Sequence, residues 1–274
     1  MLILWQGIKV TIGFLTVVVL TLSSGLFTVL LYDKYIGNES ASIAEAAPAV
    51  TVDLGAAPQS AVPAAAPVAA ETKAASAMLE APAIKQYPEL PTGCEVTSLT
   101  MLLQYAGISK NKLELAAELP KDGTAMQTDS KGNIVYWGNP NVGFVGDVTG
   151  KTGRGFGIYH AGLFPLLKKY LPGAVDLTGK SFDALEQQVA AGYPVVVWNT
   201  VDYNQPTRWM IWDTAIGPIR TTFAEHAVLL VGYDAENVYV NDPISGAKAQ
   251  RINKAQFIEV WKTMGKQALS YTNT

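Results

Sequence analysis

The sequence is poor in the residues that form metal and redox sites, with one cysteine and two histidines in 274 residues. A lone cysteine excludes an internal disulfide, and by itself it cannot build a thiolate metal site. Cys94 is therefore either a buried apolar side chain or a reactive thiol. We expect no bound metal and no cofactor. The net charge is −3 and no run of Lys or Arg occurs, so we also expect no nucleic-acid partner.

Charge is absent from residues 10–32, between Lys9 and Asp33. As a helix this segment would span about 34 Å, enough to cross a bilayer core of roughly 30 Å. The alternative is a cleaved signal peptide, whose apolar core is shorter, at about 7–15 residues. We expect residues 1–36 to form a cytoplasmic stub and a single-pass transmembrane anchor, which would leave the rest of the chain outside the cytoplasm at the cell membrane.

Aromatic residues are absent from residues 41–82, where 17 of 42 residues are Ala and five are Pro. Such a stretch offers too little large apolar surface for a core, and its prolines interrupt any long helix. It is typical of a semi-extended tether. The expected organisation is therefore an anchor at 1–36, a disordered linker at 37–83 and one globular domain at 84–274.

The globular part combines helices with short apolar strands. Helical periodicity and stop signals predict five helices, at about 94–105, 112–118, 161–170, 181–191 and 254–263. Runs of apolar residues predict strands at about 194–198, 226–232 and 238–240. The stretch 122–157 is rich in Gly, Asn and Asp, which predicts a long functional loop. Helices followed by antiparallel hairpins indicate an α+β fold.

Cys94 lies at the predicted start of the first helix. Thr92 and Glu95 have the Thr-x-x-Glu spacing of a capping box, which would make Thr92 the N-cap. Cys94 would then lie in the first helical turn, where free backbone N–H groups and the helix dipole stabilise a thiolate. A reactive thiol and a buried apolar side chain remain equally open from this residue alone.

The order Cys94, His226, Asp242 is that of a catalytic triad. His226 begins the most apolar strand, and Asp242 follows the next strand. A cysteine nucleophile needs a base for its proton, and the base needs a third group to hold its tautomer. The histidine follows the cysteine by 132 residues, within the range of about 130–150 for papain-like enzymes.

Five segments carry a stronger signal together than any of them does alone. They are 86–95 (QYPELPTGCE), 138–146 (GNPNVGFVG), 192–198 (GYPVVVW), 225–232 (EHAVLLVG) and 241–243 (NDP). In this order they resemble the papain-like cysteine peptidases related to bacteriocin leader peptidases, and more closely the stand-alone, secreted or anchored bacterial branch of that group. The resemblance covers about residues 84–265. It implies a papain-like fold with an N-terminal helical part and a C-terminal antiparallel sheet.

The resemblance also implies roles for four residues. Cys94 matches the nucleophile, His226 the general base and Asp242 the carboxylate that orients the base. Gln86 matches the glutamine that donates to the oxyanion, together with the Cys94 backbone N–H. In the family this glutamine usually precedes the cysteine by about six residues. Here the gap is eight, so residues 88–91 must bulge to bring Gln86 back.

The hairpin between His226 and Asp242 needs an irregular register if the two side chains are to meet. With a regular two-residue turn between Asp234 and Asn237, they would point to opposite faces of the sheet. Shifting the pairing by one residue makes them diagonal neighbours on one face. The triad therefore predicts an unusual loop or a bulge in this hairpin.

We expect a membrane-anchored, extracytoplasmic cysteine peptidase that acts as a monomer on peptide or protein substrates. The glycine-rich stretch 143–157 is either a wall of the substrate groove or a plain surface loop, and Trp209 and Trp212 are the expected substrate contacts. Two alternatives remain open. One is a papain-like amidase or acyltransferase that acts on cell-envelope amides, and the other is a catalytically silent binding module on a membrane stalk.

Overall fold

A computed structural model describes residues 73–273 of the chain. The predicted anchor at 1–36 and most of the predicted linker at 37–83 lie outside these residues. Within residues 73–273, no helix combines the length and the apolar character needed to cross a membrane.

Five helices lie within residues 73–273, and the sequence predicts each of them to within one residue at either end. They are α1 Cys94–Tyr105, α2 Lys112–Glu118, α3 His160–Tyr170, α4 Phe182–Ala190 and α5 Lys254–Thr263. Local capping explains several of these starts. The side chains of Asn111, Ser181 and Asn253 each accept a backbone N–H at the beginning of the helix that follows.

Fourteen strands lie within the same residues. In chain order they are β1 Ala77–Met78, β2 Lys121–Asp122, β3 Gln127–Thr128, β4 Ile134–Tyr136, β5 Phe144–Gly146, β6 Gly155–Gly157, β7 Ala174–Asp176, β8 Val195–Thr200, β9 Met210–Trp212, β10 Ile219–Thr221, β11 Glu225–Tyr233, β12 Asn237–Asn241, β13 Gln250–Asn253 and β14 Ala268–Tyr271. The predicted loop at 122–157 is wrong in part, because four short strands of two small sheets fall wholly inside it.

The main sheet has seven antiparallel strands in the order β13-β12-β11-β8-β14-β7, with β1 paired to β11. Helix α1 packs with Ala227 and Leu229 on one face, whereas α4 and α5 pack with Val228 and Leu230 on the other. Covering both faces explains why β8 and β11 are continuous apolar runs rather than alternating ones. The predicted α+β fold is confirmed.

The hairpin of β11 and β12 contains the predicted irregularity. Its tip is a regular two-residue turn, since Asp234 and Asn237 pair across it. A bulge between Leu230 and Gly232 then shifts the pairing by one residue, so that Leu229 lies opposite Asn241. His226 and the residue after Asn241 are thereby placed on the same face of the sheet.

Strand β1 comes from the stretch whose composition indicated a linker. Ala77 and Met78 pair with Tyr233 and Gly232 of β11. Gly232 permits this approach, because a Cβ there would lie 2.8 Å from the Ala77 carbonyl oxygen. The sheet therefore includes residues that precede the predicted domain start at 84.

Candidate active site

Cys94 is the first residue of α1, as the sequence predicts, but the capping box is wrong. The N-cap is Gly93, and it makes no side-chain cap hydrogen bond. Thr92 Oγ1 instead donates to the Asp147 carbonyl oxygen at 3.1 Å, and Glu95 Oε1 accepts the Ile158 N–H at 2.7 Å. Both side chains that would have capped the helix locally are used in tertiary contacts.

The Cys94 thiol is buried against the beginning of β11, with 7 % of the residue exposed. Its Sγ donates to Glu95 Oε2 at 3.4 Å. Burial and the nearby Glu95 and Glu225 carboxyls raise the pKa of Cys94 well above its ordinary value. The expected stabilisation of a thiolate by the helix N-terminus is outweighed here.

Glu95 and Glu225 form a buried carboxyl pair beside this thiol. One oxygen of each lies within 4.8 Å of the other and of Cys94 Sγ. Burial raises the pKa of Glu95 to about 7, and burial together with the Glu95 charge raises the pKa of Glu225 well above its ordinary value. Two adjacent carboxyls that are both buried repel each other strongly when both are ionised. The pair therefore retains a proton at neutral pH.

Gly157 leaves space for the carboxyl pair, and one oxygen of the pair lacks a hydrogen bond. A Cβ at Gly157 would collide with Glu95 Oε1 and would lie 3.1 Å from Glu225 Oε2. Glu225 Oε1 is buried without a hydrogen-bond partner among residues 73–273. Such an orphaned acceptor costs free energy, which makes the pair electrostatically strained.

His226 and Asp242 are brought together by the bulged hairpin. His226 is fully buried, and its Nε2 lies 3.1 Å from Asp242 Oδ1. Tyr203 donates its hydroxyl to Asp242 Oδ2 at 3.0 Å, and the Ile244 N–H donates to Oδ1 at 2.7 Å. Burial by itself would raise the pKa of Asp242, but these hydrogen bonds lower it below its ordinary value.

An ionised Asp242 determines which nitrogen of His226 carries the proton. Because a carboxylate only accepts hydrogen bonds, we assign the Nε2–H donor form to the neutral ring. Nδ1 is then an acceptor with a free lone pair. It is buried and has no hydrogen-bond partner among residues 73–273. A buried imidazole with one nitrogen held and the other free is arranged as a proton acceptor.

Cys94 and His226, the predicted nucleophile and base, are not hydrogen-bonded to each other in the structure. Side chains alternate along β11, so Glu225 and Ala227 face α1 whereas His226 faces α5. β11 pairs with β12 only from Leu229 onward, which leaves its beginning with one open edge. The partner of the thiol is Glu95 and not His226.

Gln86 is buried near the start of α1. The segment after it folds back, with the Leu90 N–H donating to the Gln86 carbonyl oxygen at 3.1 Å. This agrees with the expected bulge. The Gln86 Nε2 donates to the Pro91 carbonyl oxygen at 2.8 Å, so one of its two amide protons is already engaged. Its role at an oxyanion stays a prediction.

Cys94, Glu95 and Glu225 also constitute a donor set for a metal ion. One thiol sulfur and two carboxylate oxygens lie within 4.8 Å of one another. Zinc accepts this mixture of sulfur and oxygen ligands, provided that the thiol is deprotonated. The sequence-based expectation of no metal can therefore be tested at this cluster.

A cavity of about 470 Å³ lies beside the beginning of β11. Arg154 from the glycine-rich stretch, Trp209 and Ala224 are among its lining residues. Trp212, the other expected substrate contact, is instead buried and donates its indole N–H to the Gly138 carbonyl oxygen at 2.9 Å. That expectation is wrong for Trp212, because its ring packs in an aromatic cluster with Trp137 and Phe156.

Sequence reasoning missed the two glutamates and Tyr203. Glu95 was interpreted as a capping residue because its spacing from Thr92 is that of a local motif. Glu225 carried a usable signal, since an acidic residue directly before a continuous apolar strand is expensive to bury. No local pattern links Tyr203 to Asp242, because their contact is tertiary.

Comparisons with known proteins agree on one family. The model of the Peptidase_C39 like family matches residues 78–269. The uncharacterized protein YvpB of Bacillus subtilis (strain 168) is 42 % identical over 183 residues, which cover 66 % of this chain and 70 % of YvpB. A crystal structure of a candidate C39-like peptidase from Bacillus anthracis is 42 % identical, with a TM-score of 0.65, and the match covers 73 % of this chain and 98 % of that one.

Proposed function

This chain belongs to the C39-like peptidase family, and on that premise we propose that it is a cysteine peptidase in which Cys94 is the nucleophile and His226 the base. The observation that carries the proposal is the state of His226. Asp242 holds its Nε2, and its buried Nδ1 has no hydrogen-bond partner among residues 73–273. A buried acceptor without a partner lowers stability, and we take this cost as a sign that Nδ1 accepts a proton during the reaction.

The first step is activation of the thiol. In the resting site the Cys94 S–H donates to Glu95, so activation requires that the thiol leave Glu95 and reach His226 Nδ1 around the open edge at the beginning of β11. Catalytic hydrogen bonds that are loose before substrate binds often tighten in the complex. His226 Nδ1 then takes the proton, which leaves a Cys94 thiolate and an imidazolium stabilised by Asp242.

The thiolate attacks the carbonyl carbon of the peptide bond. The Cys94 backbone N–H, which as the first helical N–H has no intrahelical acceptor, donates to the oxyanion. The second proton of the Gln86 amide is a further donor. His226 protonates the leaving amine, and it then deprotonates the water that hydrolyses the thioester.

The surroundings of the enzyme belong to the same proposal. The substrate is a peptide or protein, and the enzyme acts as a monomer. Residues 10–32 hold it at the cell membrane with its peptidase domain outside the cytoplasm; their lack of charge supports this. Neither a metal nor an organic cofactor takes part in the steps above.

One observation favours a second candidate function, a silent binding module. Cys94 Sγ is bonded to a carboxyl rather than to His226, and burial raises its pKa. A binding module of this fold would keep its function in Cys94→Ala. An acyltransferase would instead release an amine adduct, which mass analysis of the products separates from hydrolysis.

The test measures the rate of Cys94 alkylation by iodoacetamide between pH 5 and pH 9, using the full-length chain in a mild detergent. We expect His226→Ala to slow alkylation about tenfold or more near pH 7, because iodoacetamide reacts with the minor population in which Cys94 has left Glu95 and transferred its proton to His226. In parallel, Cys94→Ala and His226→Ala should each lower hydrolysis of fluorogenic peptides by about a thousandfold or more.

His160→Ala is the matched control, since it removes the other histidine. It should change neither rate, and thermal unfolding should show that all variants fold. An unchanged alkylation rate in folded His226→Ala would contradict the thiolate–imidazolium pair. Hydrolysis that persists in Cys94→Ala would assign the activity to another residue.

A further inference from the structure

The cavity beside the beginning of β11 is positively charged. Its lining contains Arg154 and Arg208 and no Asp or Glu. Both arginines are exposed. No carboxylate of residues 73–273 lies within 4.0 Å of either guanidinium. In a chain whose net charge is negative, two unpaired guanidinium groups on one cavity are free to bind an anion.

One of these arginines is held in place by an aromatic ring. The guanidinium carbon of Arg154 lies 3.8 Å from the centroid of the Phe223 ring. Stacking of this kind occupies the flat face of the guanidinium and leaves its N–H edge available. That edge matches the two oxygens of a carboxylate. Trp209 and Met210 add apolar surface to the same cavity.

Two short stretches of chain link the lining of the cavity to the surroundings of the Cys94 thiol. Ala224 lines the cavity, and the next residue, Glu225, has a carboxylate oxygen within 4.8 Å of Cys94 Sγ. On the other side, Gly155 follows Arg154 and leaves no room for a Cβ beside Thr92 Oγ1, two residues before Cys94. These connections are one or two residues long, which is the basis for the proposal that a peptide bound across Cys94 places one of its side chains in the cavity.

We propose that this cavity binds an acidic side chain of the peptide substrate, with Arg154 and Arg208 as the residues that select it. The proposal rests on the peptidase function proposed above. The volume of the cavity, about 470 Å³, is within the usual range for ligand sites, about 300–1,000 Å³. The carboxylate accepts hydrogen bonds from both guanidiniums, and the aliphatic part of the side chain packs on Trp209.

The test compares pairs of fluorogenic peptides that are acetylated at one end and amidated at the other, so that a single Glu or Gln is their only difference. The pair is scanned through the positions around the cleaved bond. We expect the full-length enzyme to prefer one Glu peptide about tenfold or more in kcat/KM. Arg154→Gln and Arg208→Gln should each reduce that ratio toward one, whereas Arg251→Gln, an exposed arginine that does not line the cavity, should leave it unchanged.

A binding measurement separates this proposal from the peptidase proposal. Full-length Cys94→Ala should bind the preferred Glu peptide about tenfold more tightly than its Gln partner, and Arg154→Gln in that background should remove the difference. Arginine-dependent binding without cleavage by the wild type would refute the peptidase and keep the cavity. Cleavage with equal rates for Glu and Gln at every position would refute the cavity and keep the peptidase. A preference seen only when the peptide carries a free C-terminal carboxylate would also overturn the side-chain proposal.

Discussion

Two polar clusters flank the beginning of β11, and they differ in how well their charges are compensated. On the α5 side, the Asp242 carboxylate accepts hydrogen bonds from His226, Tyr203 and Ile244. On the α1 side, Glu95 and Glu225 lie beside a buried thiol, and one carboxyl oxygen has no partner among residues 73–273.

The difference in charge compensation indicates that the two clusters have different roles. Hydrogen bonds lower the pKa of Asp242, so its charge is constant at neutral pH and it holds His226 in one tautomer. Burial raises the pKa of Glu95 to about 7, so its charge changes in the same pH range. The first cluster is built for orientation, and the second responds to proton concentration. Three predictions distinguish them.

The largest effect is expected when the oriented cluster loses its carboxylate. Asp242→Ala removes the acceptor for His226 Nε2–H, so the ring can turn and present the wrong nitrogen. We expect kcat/KM to fall by about 10²- to 10⁴-fold, measured with fluorogenic peptides.

Asp242→Asn is the conservative comparison. Its amide oxygen can still accept from Nε2–H, and Tyr203 can turn its hydroxyl to accept from the amide nitrogen. It should therefore keep His226 oriented and retain more activity than Asp242→Ala, although it no longer stabilises the imidazolium by its charge. Equal losses in Ala and Asn variants that both fold would show that orientation of His226 is not the role of Asp242.

A smaller effect is expected from the carboxyl pair on stability. The pKa of Glu95 is raised from 4.5 to about 7 in the folded chain, so the folded state binds more protons than the unfolded state between these values. Its contribution to stability is complete below pH 4.5 and is lost as pH rises through 7. At about 1.4 kcal/mol per pKa unit, the loss is on the order of 3 kcal/mol.

Melting temperatures at pH 5 and pH 8 measure this loss. Glu225→Gln removes the other buried carboxyl whose pKa is raised, by burial and by the Glu95 charge, and should reduce the difference between the two temperatures. The exposed Glu236→Gln is the matched control and should keep the wild-type difference. A wild-type chain that is equally stable at both pH values would contradict the raised pKa values.

The smallest effect is expected from filling the space beside the carboxyl pair. Gly157→Ala places a Cβ against Glu95 Oε1, and we expect unfolding free energy to fall by about 1–3 kcal/mol. Gly153→Ala adds the same methyl group where no atom lies within 4 Å, so it should change stability by less than about 0.5 kcal/mol. Denaturant unfolding measures both, and equal values would mean that the carboxyl pair relaxes without cost.

The helices were predictable from sequence because their signals are local. Apolar periodicity and stop residues determine α1 and α5 to the residue. Strand β14 was missed, since its four residues carry no alternation and are strand-like only by pairing with β7 and β8. The short strands within 122–157 were missed for the same reason, because pairs of two or three residues lack a periodic pattern.

The part of the candidate site that lies on one hairpin could be predicted from the spacing of its residues along the chain. His226 lies in β11 and Asp242 directly follows β12, so whether their side chains meet depends on the register of this hairpin, which the bulge sets. The carboxyl pair could not be found in this way. Glu95 and Glu225 come from a helix and a strand far apart in the chain, and only packing of α1 on β11 brings them together.

The buried thiol has a consequence for chemical lifetime. Peroxide attacks thiolates rather than thiols, and oxidation beyond sulfenic acid is irreversible without dedicated repair. Cys94 is shielded from solvent and held as a thiol by neighbouring carboxyls. A cysteine in this state is spared oxidation, and on the proposed mechanism it becomes vulnerable only while it is ionised.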